Sequence, residues 1–338
     1  MTLTSVVEDL TDRVDSELRS IVTSREMPLY RMMAYHMGWS DQLGEPEQSR
    51  AKGRTHGVLC LLACRAAGGD PETALPAAAA TELVHNFCQI HDDVQGGIPQ
   101  RDDRDAVWWV WGPAQAINAG DGMHALARLV VFRLQEHDVS SDTTFRAVQI
   151  LDEASLNTCE GRFLDLEAQE RIDMSVDAYL RMAAAKTGAL VSCAMSLGAL
   201  VTSAPTAVVD AMGEAGLKLG VALQMRDDLL ELWGPSETDA PPAHEVMNKK
   251  KLLPVVLALE KANLTQKRSM GEIYFKRVLE PDDVARLRGT LDDMGVREEC
   301  ENLVEQHIDA AAGALEALSL DLDGKADLLA FMKSLLRD

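Results

Sequence analysis

The chain has 338 residues, with 33 Lys and Arg against 54 Asp and Glu, for a formal charge of −21. Such a field repels nucleic acid and anionic membranes, so an anionic substrate needs a local basic or metal-bearing patch. Hydrophobic residues make up 46% and aromatics only 4%, which predicts a core of Ala, Leu, Val and Met large enough for one big domain or two ordinary ones.

The opening stretch MTLTSVVEDLTDRVDSELRS is acidic and amphipathic, without the basic start and apolar run of a signal peptide. Apolar spacing of three and four recurs almost throughout, and no stretch alternates over strand length. Breaks fall at GEPEQSRAKG (44–53), GGDPE (68–72), GGIPQRDDRD (96–105) and GPSETDAPPAH (234–244), and none reads as an interdomain linker. The pattern predicts an all-α fold, one domain of ten or more helices over residues 1–338.

In TELVHNFCQIHDDVQ, Leu83, Phe87, Ile90 and Val94 form a core-facing stripe, while His85, Gln89, Asp92 and Gly96 share another. Asp92 and Asp93 open like a metal-binding pair. Yet Gly96 stands where a third carboxylate would share the face of Asp92, and Arg101 is followed by Asp102, Asp103 and Asp105. The uncharged run TGALVSCAMSLGALVTSA from Thr187 approaches bilayer length, but its Ser, Cys, Thr and Gly content points to a buried helix rather than a span. Six cysteines without a CxxC predict buried free thiols in a reducing compartment, hence a cytoplasmic protein.

The Asp-Asp pairs must be sorted. EPDDVARLRG places Pro281 and two acids where a helix starts, and TLDDMG reads as a helix end; both are structural. In LQMRDDLLELWG, by contrast, Asp227 and Asp228 lie among apolar residues, with Glu231 one turn after Asp227 and Gln224 one turn before Asp228. Carboxylates in apolar surroundings are costly unless a cation matches them, and magnesium takes one or two carboxylates plus phosphate oxygens. A solvated helix face is the alternative. Facing each other, the pairs at 92–93 and 227–228 would hold a diphosphate through metal ions, with Arg101, Lys186 and Lys250 as candidate phosphate cations.

With those residues assembled, the chain resembles the trans-isoprenyl diphosphate synthases, or polyprenyl synthetase family, over residues 30 to 260. ELVHNFCQIHDD, WGPAQAINAGD, CEGRFLDL, YLRMAAAKTGAL, LGVALQMRDDLLELWG and NKKKLLPVVLALE occur in the order of that family's segments. The resemblance implies the isoprenoid synthase fold, helices around a central cavity. It further implies that Mg2+ held by two aspartate-rich motifs draws diphosphate from an allylic prenyl diphosphate, leaving a carbocation that isopentenyl diphosphate attacks. By position, Asp92, Asp93, Asp227 and Asp228 would be metal ligands, with Glu231 in place of the last Asp of the second motif. Arg101, Lys186 and Lys250 would hold the allylic diphosphate, Thr187 and Gln224 would line its site, and Arg54 and His85 would serve isopentenyl diphosphate.

The departures concentrate on one side. Gly96 replaces an Asp, Asp102 replaces the second Arg of an Arg-Arg pair, and in KGRTHG (52–57) only Arg54 of a Gly-Lys-Arg-x-Arg-Pro element stays, with Gly53, His56 and Gly57 at the other positions. Each lost phosphate contact costs about 1–3 kcal/mol, so together they weaken the second substrate by decades. The sequence therefore favours ionisation of a prenyl diphosphate without isopentenyl diphosphate, as in terpene synthases of this fold. Chain elongation, with compensation by Lys52 or the 249–251 lysines, and a non-catalytic subunit paired with an active homologue are the alternatives. By resemblance, Phe87 beside Cys88 suggests a product of about fifteen to twenty carbons. The 234–244 segment would act as a lid, and the protein would be a homodimer.

Overall fold

The computed structural model describes residues 2–47, 53–171, 173–234 and 244–336, and they are almost entirely helical. Lys52 and residues 235–243, expected to compensate for lost cations and to close over the site, lie outside the described residues. In chain order the helices are α1 (Leu3–Thr23), α2 (Pro28–His36), α3 (Thr55–Ala66), α4 (Pro71–Gly96), α5 (Val107–Trp111), α6 (Pro113–Val131), α7 (Ser141–Gln169) and α8 (Val176–Ala183). A π turn over Ala184–Gly188 precedes α9 (Ala189–Leu200), α10 (Thr206–Trp233), α11 (His244–Met247), α12 (Leu253–Lys261), α13 (Leu264–Tyr274), α14 (Pro281–Asp293), α15 (Val296–Glu316) and α16 (Leu322–Ser334). The chain forms two compact units: Met1–Ser155 with Leu190–Gly213 and Ala317–Phe331, and Leu156–Ala189 with Glu214–Glu316 and Met332–Asp338.

In the first unit, α4 is enclosed by α1, α3 and α6. Its middle, from Ala77 through Val84, is buried on every side, as expected for a helix apolar all round. Of the predicted stripe, Leu83, Phe87 and Ile90 are buried and Val94, at the end of the helix, is half-buried. Helix α1 buries Val6, Leu10, Val14 and Leu18 along one stripe, and a Cβ at Gly57 of α3 would strike Val14 and Glu82. Gly57 therefore permits close packing of α1 on α3.

Helix α4 stops two residues after Val94 because Gly97 adopts φ 61°, its N–H capping the Asp93 and Val94 carbonyls. Beyond it the chain makes more than the expected plain break: Gln100–Arg101 (β1) and Arg104–Asp105 (β2) form an antiparallel hairpin. Asp102 and Asp103 both hold positive φ, 51° and 59°, the requirement of a two-residue type I′ turn. Two-residue strands leave no alternation to read. Arg104 anchors the hairpin to the α2 region, donating to the carbonyls of Tyr35 at 3.1 Å and Ser40 at 2.7 Å, while the Tyr35 hydroxyl donates to the Asp105 carbonyl.

The second unit is built on α12, buried from Leu253 through Leu259 and packed with Tyr179, Met182, Met225, Leu232, Leu287, Val296 and Cys300. Helix α14 starts at Pro281 with Glu280 and Asp283 in a capping box, and ends at Asp293, so the pairs at 282–283 and 292–293 are structural as expected. One stretch, Val176–Leu200, is long and apolar enough to cross a membrane, but 72% of its most apolar window is buried inside the protein, in line with its small polar residues. All six cysteines are free, five of them buried and Cys159 exposed.

Candidate functional site

In the second unit, three helices converge through missing side chains. A Cβ at Gly161 of α7 would collide with the Lys186 backbone in the π turn, and one at Gly220 of α10 would collide with Gly188. Each glycine lies one turn before a polar group on the same helix face, Asp165 and Gln224 respectively. Close approach thus delivers Asp165 to Lys186, whose Nζ donates to it at 2.7 Å. Lys250 Nζ reaches the same Asp165 oxygen at 3.7 Å and donates to Glu245 at 2.5 Å. Burial works against the Asp165 charge, but the two ammonium groups outweigh it and hold its carboxyl below the usual range.

From the π turn a hydrogen-bond chain runs to the second aspartate pair. The Thr187 hydroxyl donates to Gln224 Oε1 at 2.6 Å, and Gln224 Nε2 donates to Asp228 Oδ1 at 2.9 Å. Asp228 also accepts from the Tyr179 hydroxyl at 2.6 Å and from the Leu253 N–H, at the start of α12, at 2.8 Å. Burial pushes its carboxyl up to about 7, against those three donors. Asp227 differs. Its side chain is 55% exposed and paired with the adjacent Arg226, which itself also donates to the Leu335 carbonyl. Glu231 accepts from the Glu245 N–H at 2.6 Å, at the start of α11. Of the three carboxylates expected on metal, two are therefore engaged with helix N-termini and Asp227 faces outward.

In the first unit, Asp92 is half-buried and Asp93 buried. Arg101 donates to Asp93 Oδ1 through Nε at 2.8 Å and Nη2 at 2.6 Å. Burial opposes the guanidinium charge, but Asp93 raises its pKa above the ordinary value. Arg54 departs from expectation. It is 2% exposed and clamps Asp15 of α1, Nη2 to Oδ1 at 2.5 Å, under the Trp39 ring; Trp39 Nε1 donates to Asp15 as well. His56 stacks on His85 at 4.5 Å between ring centroids, and burial pulls the His56 pKa down to about 4, so it is a neutral residue where the resemblance implies a cation. Glu82 below accepts the Gly57 N–H at 2.9 Å. Phe87 is backed by His91 and His124.

Sequence reading alone misses Asp165, Tyr179 and Asp15. Asp165 lies inside CEGRFLDL, and Gly161 four residues before it is the readable signal, a small residue on the face of an acid.

The class of protein is defined by an all-α scaffold that joins a lysine-bearing π turn to an aspartate pair. The polyprenyl synthetase family model matches residues 48–291. Geranylgeranyl diphosphate synthase of Mycobacterium tuberculosis is 36% identical over 88% of this chain and 84% of its own. Geranylfarnesyl diphosphate synthase of Aeropyrum pernix is 32% identical over 80% and 86%. A polyprenyl synthetase from Streptomyces coelicolor A3(2) superimposes with a TM-score of 0.91 at 32% identity, covering 99% of this chain and all of that one. The chain belongs to the polyprenyl synthetase family; it has the isoprenoid synthase fold and is an enzyme of the prenyltransferase class.

Proposed function

We propose that the protein is a magnesium-dependent, chain-elongating prenyl diphosphate synthase that joins isopentenyl diphosphate to an allylic prenyl diphosphate. The observation that carries this reading is the convergence of Lys186 and Lys250 on Asp165 beside the Thr187–Gln224–Asp228 chain. The Lys186 and Lys250 side chains are 12% and 15% exposed, so the two ammonium groups, held together on one carboxylate, present their charge to an incoming diphosphate. The relatives' names favour elongation over the expected reaction without isopentenyl diphosphate.

By the family resemblance, Lys186, Lys250 and Arg101 would hold the allylic diphosphate, with Thr187 and Gln224 lining its site. By the same resemblance Asp92 and Asp93 in the first unit and Asp227 in the second would be carboxylates for Mg2+, which would supply positive charge at the departing diphosphate. Asp228 and Glu231, already satisfied by N–H donors, position the pair rather than ligate. His85 remains with isopentenyl diphosphate, whereas Arg54, its charge matched by Asp15, fastens α1 to α3. Helix α7 bears an exposed apolar face, Phe145, Leu156 and Phe163 being 65%, 60% and 66% exposed, which supports a homodimer formed with a second copy. Free, mostly buried thiols support a cytoplasmic location.

A second reading keeps one observation in its favour: the neutralised Arg54, the neutral His56 and Asp102 leave the acceptor poor in cations, which suits a terpene synthase-like reaction. Incubation with magnesium and allylic diphosphates of graded length, with and without isopentenyl diphosphate, separates the two. A lengthened diphosphate is the expected product. Hydrocarbon or alcohol formed independently of isopentenyl diphosphate would replace elongation with the second reading.

A further inference from the structure

Of the three adjacent lysines at 249–251, the middle one reaches Asp165, and the last is buried beneath it. Lys251 is 3% exposed. Its Nζ donates to the Gln169 carbonyl at 3.0 Å and the Lys249 carbonyl at 3.1 Å and sits 4.4 Å from the centre of the Tyr274 ring. Each contact has a structural meaning. Gln169 ends α7, one turn beyond Asp165, and a terminal helix carbonyl has no partner within its own helix. Lys249 holds φ 62°, a left-handed conformation that favours glycine, while Lys250 N–H closes back on the Glu245 carbonyl. Tyr274 ends α13, its aromatic face a cation site.

One ammonium thus ties the end of the helix bearing Asp165 to the strained turn bearing Lys250. We propose that Lys251 is a positioning residue for the allylic diphosphate site, holding Lys250 in register with Asp165 and, through it, with Lys186. Burial depresses the Lys251 pKa to about 8, so the group is held in place at a cost that two carbonyls and a ring offset. The inference rests on the proposed role of Lys186 and Lys250 in holding the allylic diphosphate.

The test compares Lys251→Met, which keeps length and loses charge, with Lys251→Arg, which keeps charge, and with Lys250→Ala. Lys251→Met is expected to raise KM for the allylic diphosphate about tenfold, leave KM for isopentenyl diphosphate within about twofold and be largely rescued by Lys251→Arg. If Lys250→Ala raises the allylic KM and Lys251→Met does not, the positioning role falls and the phosphate reading stands. If neither raises it, the phosphate reading fails and takes this inference with it. A fall in kcat with both KM values shifted alike would make Lys251 merely structural and overturn the proposal. Should Lys251→Met not fold, Tyr274→Leu decides: a rise of about threefold in allylic KM alone supports the role, and no change overturns it.

Discussion

Arg54, a buried cation, and Lys186, a half-buried one, each face a carboxylate, yet their surroundings give them opposite tasks. Arg54 spends both Nε and Nη2 on Asp15 Oδ1, with Trp39 Nε1 on the same oxygen and the half-exposed Arg19 on Oδ2; Arg54 itself is 2% exposed and the site is closed. Lys186 shares Asp165 with Lys250, so one carboxylate serves two ammonium groups and Glu245 supplies the balance from a more exposed position. A cation sealed against its carboxylate stabilises a joint between helices. Two partly exposed cations held on one carboxylate stay together within reach of an incoming anion.

Substitution at the two cations should have opposite consequences. Lys186→Ala should lower kcat/KM for the allylic diphosphate about a thousandfold, near 4 kcal/mol, with little change in melting temperature. Arg54→Met should do the reverse. It leaves Asp15 without its main counter-ion and should cost about 3–4 kcal/mol of stability in urea unfolding, with KM for isopentenyl diphosphate nearly unchanged. A large KM effect for Arg54→Met at intact stability would return Arg54 to the acceptor site.

Next in size is a pH effect confined to the first unit. His56 falls from 6.5 to about 4 on folding because it is buried, so between those values the unfolded chain binds a proton the folded one does not. Its contribution is fully present above pH 6.5 and is lost as pH falls toward 4, about 3 kcal/mol in all. His56→Gln should flatten that acid limb in melting experiments, whereas an unchanged limb would mean other groups dominate it. The smallest effect concerns the hairpin tip. Asp102→Arg replaces repulsion with a cation and should lower KM for isopentenyl diphosphate about tenfold, leaving the allylic KM alone; at φ 51° the arginine costs about 1 kcal/mol of turn stability, while Arg104 still fixes the hairpin.

Much of the architecture is legible in spacing. The α4 stripe of Leu83, Phe87 and Ile90 and the Pro281 helix start lie where local pattern places them, because both depend on neighbours within a few turns. Asp165 is only half legible that way: Gly161 one turn before it marks a close approach, but its partner, Lys186, lies 21 residues on in the chain. The use of Arg54 by Asp15, 39 residues earlier, is equally hidden. That Asp228 accepts from the Leu253 N–H becomes visible only once α12 is placed.

The π turn at Ala184–Gly188 also sets a phase. Such a turn typically places one more residue in the helix than the α pitch accommodates, so residues before and after it are offset by about 100° from a continuous helix. Tyr179 before it points to Asp228 and Lys186 within it to Asp165, two directions a regular helix would not serve together. Deleting a single alanine from Ala183–Ala185 would leave composition and hydrophobicity nearly untouched while rotating one of those partners away. Insertions and deletions in this segment should accordingly be tolerated far less than substitutions.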